Sequence, residues 1–152
     1  MNIFKITLFS LLLFISFVAN SESQNMAGGV PEIVVYRSPT CGCCGKWVQH
    51  LRDQRFKIKD VVSDDMQAIK DKYGVPREMA SCHTAVIDGY VIEGHVPARD
   101  IKRLLEMKPD VVGISVPGMP VGTPGMEMGG RKDPYQVISF DKEGRYRVFD
   151  DY

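Results

Sequence analysis

Periodic apolar positions divide most of the chain into short strands and amphipathic helices. Alternating or continuous apolar runs predict strands over 32–37 and 57–62, a hairpin over 84–93, and a terminal hairpin within 135–152. Helical spacing predicts a helix over 45–54 and a short helix after the capping segment 63–65. A third helix is predicted to open at Pro97, because proline is favoured in the first turn.

Residues 109–134 interrupt this periodicity. They are rich in proline and glycine, and they carry Met119, Met126 and Met128. A loop this long inside a small domain is usually functional or disordered. The sequence therefore predicts a Pro/Gly/Met-rich loop over 109–134, followed by the terminal hairpin.

The first 21 residues have the pattern of a signal peptide. Lys5 supplies a positive charge, 6–19 are mostly apolar, and the small residues at 19 and 21 predict cleavage after Ser21. The alternative is an uncleaved membrane anchor, but the apolar stretch is shorter than the ~20 residues that span a bilayer. We expect 22–31 to be a flexible leader, 32–152 to form the exported domain, and no stable membrane insertion after cleavage.

The charge pattern argues against nucleic acid as a partner. The chain has 19 basic and 19 acidic residues, interspersed, so its formal net charge is zero. Binding to nucleic acid usually requires a basic patch or stripe, and the sequence shows none.

The chemistry of the chain is concentrated in its four cysteines. Cys41, Cys43 and Cys44 fall within four residues, and Cys82 precedes His83. In an oxidising compartment structural disulfides are the default interpretation. However, three cysteines in four residues would link no distant parts of the fold, which favours a functional site.

The cysteine cluster lies at a strand-to-helix turn. Unpaired N–H groups and the macrodipole at a helix N-terminus favour anions, so we expect lowered thiol pKa values there. Cys41 and Cys44 form a Cys-x-x-Cys motif at the place where thioredoxin-like proteins have one, and the order β-α-β-α-β-β-α matches that α/β fold. Cys43 adds a third thiol, which is more typical of a metal site.

In a thioredoxin-like fold the loop before the third strand lies against the Cys-x-x-Cys turn. Here that loop contains Cys82, with His83 where thioredoxins have a cis-proline. His95, after the hairpin, should approach the same end of the sheet. The methionines of the 109–134 loop, above all Met119 and Met126, are candidates to close the site. Thiolate, thioether and imidazole together favour Cu(I), whereas Zn²⁺ seldom takes thioether.

Four segments resemble the CopG-like family of exported bacterial proteins associated with copper resistance: 36–47, 80–85, 93–98 and 116–120. The resemblance implies a thioredoxin-like fold, a periplasmic location, and copper with redox activity at the cysteine cluster. The candidate ligands are the four cysteines 41, 43, 44 and 82, together with His83, His95, Met119 and Met126. One or several Cu(I) ions are expected, and other periplasmic copper-handling proteins are candidate partners.

Two other functions remain open from the residues alone. The protein could be a thiol–disulfide oxidoreductase with Cys41 as nucleophile and Cys44 as resolving thiol, although Cys43 and His83 both depart from that pattern. A structural zinc site of four cysteines is the other, and the adjacent Cys43 and Cys44 make regular tetrahedral chelation awkward. Whether the protein is an enzyme, as a copper or thiol oxidoreductase, is left open.

Overall fold

The computed structural model describes residues 31–152, which form a mixed α/β fold with three helices and one seven-stranded sheet. The strands are β1 Ile33–Arg37, β2 Ile58–Val62, β3 His83–Ile87, β4 Tyr90–Glu93, β5 Gly113–Ser115, β6 Gln136–Phe140 and β7 Tyr146–Asp151. The helices are α1 Gly42–Asp53, α2 Met66–Lys72 and α3 Ala98–Met107, with a 3₁₀ turn at Arg77–Met79. The predicted signal peptide and all of the leader except Pro31 lie outside the described residues. Within 31–152 no helix is both long and apolar enough to cross a membrane.

The sheet order is β2-β1-β3-β4-β5-β6-β7. β1 runs parallel to β2, and β3 runs antiparallel to both β1 and β4. The order of elements predicted through α3 is therefore observed. Arg37, the last residue of β1, pairs with His83, the first residue of β3. This register places the turn that follows β1 beside the segment that enters β3.

Strand β5 corrects the prediction that all of 109–134 is loop. It pairs parallel with β4 and antiparallel with β6, and so joins the terminal hairpin to the rest of the sheet. Gly113 allows this close approach, because a Cβ there would lie 2.0 Å from the carbonyl oxygen of Val91. Three residues are too few to show a period-2 pattern, so periodicity alone could not reveal the strand.

Helix α1 begins at Gly42, three residues before its predicted start, with Cys41 as N-cap. Its buried face consists of Cys44, Trp47, Val48 and Leu51, as the helical spacing predicts. The indole Nε1 of Trp47 donates a hydrogen bond to the Val96 carbonyl at 2.8 Å. This contact fixes α1 against the segment that leads into α3.

His50, on α1, contacts the start of α3. Its ring is half-buried, and Nε2 accepts a hydrogen bond from the backbone N–H of Ala98 at 3.2 Å. That N–H belongs to the first turn of α3, where donors have no partner within the helix. His50 therefore caps α3, and burial lowers its pKa.

The C-terminus packs onto the start of α3. Tyr152 stacks on Tyr135 with ring centroids 4.7 Å apart, and its hydroxyl donates to Asp100 Oδ2 at 2.5 Å. Asp100 is fully buried. This contact holds the terminal hairpin against the helix that follows His95.

Candidate metal centre

The fold brings all four cysteines together. Their sulfur atoms lie within 4.8 Å of one another. Cys41 caps α1, Cys43 and Cys44 lie in its first turn, and Cys82 comes from the segment before β3. The pairing of β1 with β3 accounts for this, because it aligns the two segments at one end of the sheet.

Cys41 and Cys44 form a disulfide, with Cα atoms 5.4 Å apart. Cys43 and Cys82 are free, half-buried thiols. The Cys43 sulfur lies 3.5 Å from that of Cys41. The bond spans three residues, so it links no distant parts of the chain and leaves two thiols beside it. Reduction would give four thiols in one place.

Cys82 lies between two imidazoles. Its sulfur is 3.3 Å from Nδ1 of His83 and 3.1 Å from Nε2 of His95. The other ring nitrogen of His95, Nδ1, donates to the Pro124 carbonyl at 2.8 Å. In neutral His95 that bond places the proton on Nδ1, so Nε2 presents its lone pair to the Cys82 sulfur. Such an arrangement is how proteins orient a histidine toward a metal.

Burial keeps this side of the site uncharged. Desolvation lowers the pKa of His83 well below its usual value, and it lowers the pKa of His95 as well. Burial, followed by the nearby Cys43, raises the pKa of Cys82 to about 12. Cys82 lies on the segment that faces α1, outside the cysteine turn for which a lowered pKa is expected. The Cys82 thiol therefore donates to a neutral imidazole, and a metal would displace that proton.

The loop after β5 covers the site through a close backbone contact. Gly125 has a φ of +85°, and a Cβ there would lie 2.7 Å from the backbone nitrogen of Trp47 and 3.0 Å from the Cys43 carbonyl oxygen. Only glycine fits both the backbone conformation and the space. The contact holds the neighbouring Pro124 carbonyl over His95.

The methionines take different positions. Met126 and Met128 line a cleft of about 390 Å³ together with Cys43. Met126 is half-buried, whereas Met128 is 63% exposed. Met119 is 53% exposed, next to Gly118, whose carbonyl accepts a hydrogen bond from the Ser81 hydroxyl at 2.5 Å. The thioethers thus lie at the rim of the site, nearer to solvent than the imidazoles.

The sequence interpretation did not find a buried ion pair beneath the Cys82 segment. Lys70 Nζ and Glu93 Oε1 are 2.5 Å apart, and both residues are buried. The only signal was a charged residue, Glu93, at the end of an apolar strand. Its partner on α2 could not be chosen from the sequence.

The donor set suits a soft metal ion. Two groups of potential ligands share Cys82: the four cysteines, and Cys82 with His83 and His95. The second ring nitrogen of His83, Nε2, is buried and has no hydrogen-bond partner within residues 31–152. Thiolates together with imidazoles select Cu(I) or Zn²⁺ over hard cations.

Comparison with solved structures places the chain in a family. A structure described as copper resistance protein CopG, form 2, is 51% identical, with a TM-score of 0.79 over 82% of this chain and 99% of that one. Form 1 is 52% identical, with a TM-score of 0.78 over 82% of this chain and 98% of that one. The chain belongs to the CopG family. The resemblance predicted from its four segments is therefore confirmed.

A family model described as "Protein of unknown function, DUF411" matches residues 79–126. In this CopG-family chain that match includes Cys82, His83, His95 and the loop up to Met126. No curated protein matches the chain.

Proposed function

We propose that this CopG-family protein is a periplasmic copper-binding protein that serves copper resistance. Its ligands are the thiolates of Cys41, Cys43, Cys44 and Cys82 and the imidazoles of the two histidines that contact Cys82. The observation that carries the proposal is the convergence of four cysteine sulfurs within 4.8 Å of one another. Two imidazole nitrogens, of His83 and His95, lie 3.3 Å and 3.1 Å from the sulfur of Cys82. The related solved structures, named as copper resistance proteins, support copper as the metal.

The geometry favours Cu(I) and more than one ion. Soft thiolates prefer Cu(I), and a thiolate can bridge two copper ions. Cys82 belongs to both groups of candidate ligands, so it is the natural bridging residue. Met126 and Met128, in the cleft beside Cys43, would add thioethers where copper enters.

The Cys41–Cys44 disulfide supports a redox role for the site. Two Cu(II) ions that meet the reduced pair would each take one electron. The two thiols would lose two protons and form the disulfide, leaving two Cu(I) ions and two thiols at Cys43 and Cys82. The oxidation state of the pair would therefore set whether the site offers two thiolates or four.

The proposal extends to the fold and to export. Parallel β1 and β2, followed by antiparallel β3 and β4, support a thioredoxin-like unit over β1 to α3. The remaining strands, β5 to β7, extend its sheet on one side. Residues 32–152 would be the mature metal-binding domain after removal of the signal peptide.

Anaerobic titration of the reduced protein with Cu(I), with free thiols counted at each step, tests the proposal. We expect tight uptake of more than one copper ion and protection of all four thiols. Cys41→Ser and Cys44→Ser should each abolish tight binding. Met126→Leu should slow uptake, whereas Met107→Leu, at an exposed methionine on α3, should not. Unchanged copper stoichiometry in both cysteine variants would exclude the proposed site.

The formed Cys41–Cys44 disulfide also favours a second candidate, a thiol–disulfide oxidoreductase of exported proteins. Cys41 would attack the substrate disulfide and Cys44 would resolve the mixed disulfide. Insulin reduction that survives Cys43→Ser, in a protein that takes up no copper, would favour this function. However, the segment before β3 has no cis peptide bond, whereas thioredoxins have a cis-proline there.

A further inference from the structure

A buried charged pair lies directly under the segment that carries Cys82 and His83. Glu93, at the end of β4, is fully buried, and Lys70 on α2 is 7% exposed. Their side chains meet at 2.5 Å. Neither is among the candidate metal ligands.

Glu93 contacts both ends of the Cys82–His83 segment. Its Oε1 accepts a hydrogen bond from the backbone N–H of Ser81 at 2.6 Å, and its Oε2 accepts one from the Thr84 hydroxyl at 2.7 Å. Lys70 Nζ donates to Glu93 and also to the Thr84 hydroxyl oxygen, at 3.1 Å. The carboxylate thus fixes the residue before Cys82 and the residue after His83.

We propose that Glu93 and Lys70 are positioning residues that hold Cys82 and His83 in the geometry that binds metal. The inference rests on the proposed function for its copper-binding consequence. Its structural core, the fixation of Cys82 by the Lys70–Glu93 pair, does not depend on copper. Where thioredoxins set this segment with a cis-proline, this chain sets it with a buried carboxylate.

Stability alone does not account for the pair. Replacing a buried ion pair by apolar residues of similar volume is often neutral or stabilising, because burying two charges is costly. Within residues 31–152, the side-chain hydrogen bonds of Glu93 all go to Lys70 and to the two residues that flank Cys82–His83. The Lys70–Glu93 pair therefore fixes the Cys82–His83 segment, at a desolvation cost that apolar packing would avoid.

The double substitution Lys70→Met and Glu93→Leu removes the pair and keeps the core apolar. We expect the double variant to fold with thermal stability close to that of the wild type, because the desolvation cost that is removed offsets the loss of Glu93 as acceptor for Ser81 and Thr84. In the copper-free protein, alkylation of Cys82 by iodoacetamide should speed up about tenfold relative to Cys43, because the segment loses its hydrogen bonds and opens more often. Cys43, the other free thiol, is the internal control in the same molecule.

Alkylation of the protein loaded with Cu(I) tests whether the Lys70–Glu93 pair affects copper binding by Cys82. In the reduced wild type, Cu(I) should protect Cys82 from alkylation. In the double variant Cys82 should react while Cys41, Cys43 and Cys44 stay protected. A wild type whose Cys82 stays reactive with Cu(I) bound would count against the proposed function, and the copper-free rates would still decide the positioning role.

A Cys82-to-Cys43 rate ratio that stays at the wild-type value in a folded double variant would overturn the inference. A second pair of variants decides the matter if the double variant does not fold. Thr84→Val loses the hydroxyl that Glu93 holds, whereas Thr84→Ser keeps it. We expect the rate ratio to rise about threefold in Thr84→Val and to stay unchanged in Thr84→Ser, since the two hydrogen bonds of the hydroxyl, to Glu93 and Lys70, are lost only in the first. Equal ratios in the two would overturn the inference.

Discussion

Substitution of Gly125 by alanine tests whether a single backbone contact fixes the loop over the site. The new methyl group would lie 2.7 Å from the Trp47 nitrogen and 3.0 Å from the Cys43 oxygen, both backbone atoms of α1. Neither atom can move without distorting the first two turns of the helix. The loop must therefore withdraw, and it must carry the Pro124 carbonyl away from His95.

The loss of unfolding free energy in Gly125→Ala has two parts, a backbone cost and a steric cost. Alanine at a φ of +85° costs about 1–2 kcal/mol, partly offset by about 0.4–1 kcal/mol because alanine restricts the unfolded chain. The clash adds about 1–3 kcal/mol, the usual cost of overpacking. We expect Gly125→Ala to lower the free energy of unfolding by about 1–5 kcal/mol in sum.

Gly129→Ala is the matched control. Gly129 lies in the same loop with a φ of +62°, and a Cβ there would meet no atom within 4 Å. Gly129→Ala should lower the free energy of unfolding by about 0–1.6 kcal/mol, about 1–3 kcal/mol less than Gly125→Ala, because only the backbone cost applies. Urea unfolding of both copper-free variants measures the difference.

Nitrogen NMR of the His95 ring gives a second readout. The Nδ1–H tautomer should lose population in Gly125→Ala and keep it in Gly129→Ala, because only the first substitution displaces the Pro124 carbonyl. Equal destabilisation by the two substitutions, with an unchanged His95 tautomer, would show that the Gly125 contact does not hold the loop over His95.

Three further predictions concern the residues around the site. The folded protein keeps His83 neutral, whereas in the unfolded chain this histidine takes up a proton below about pH 6.5. Between pH 7.5 and 5.5 the free energy of unfolding should therefore fall by about 1.4 kcal/mol more in the wild type than in His83→Gln. Equal losses in urea titrations of the two proteins would contradict this. Trp47→Phe should lower the free energy of unfolding by about 2–4 kcal/mol, because it removes the donor to the Val96 carbonyl and leaves a cavity beside it. The loss is measured as a lower urea midpoint at constant m-value. A loss below about 1 kcal/mol would contradict this packing. Tyr152→Phe should cost about 1–2 kcal/mol by thermal unfolding through loss of the bond to Asp100, with Tyr146→Phe, at an exposed tyrosine, as the near-neutral control.

The first half of the fold could be predicted because its elements have clear periods and clear ends. Hairpin β3–β4 turns at Asp88 and Gly89, both with positive φ, where the sequence Asp-Gly predicts such a turn. Strand β5 has three residues and depends on Gly113 meeting the Val91 backbone, which is a tertiary contact. A local pattern holds no information about that contact.

The candidate site likewise has one part that the sequence could predict and another that depends on tertiary packing. The convergence of Cys82 with the cysteine turn follows from strand topology, so motif spacing and fold order were enough to predict it. The partner of Glu93 depends on how α2 packs on the sheet, and the role of His50 depends on where α3 begins. Both are choices among many exposed or buried polar groups, and only packing decides them.

Three independent contacts converge on Cys82 and its two histidines. Sheet register sets the segment opposite the cysteine turn, the Lys70–Glu93 pair fixes its two ends, and the loop at Gly125 orients His95 through the Pro124 carbonyl. The buried pair acts on the Cys82–His83 segment and the loop acts on His95, so either can be removed while the other remains. Loosening the loop should affect the imidazole of His95, whereas removing the buried pair should affect the thiol of Cys82. A site assembled in this way depends on tertiary contacts outside the Cys-x-Cys-Cys motif as much as on the motif itself.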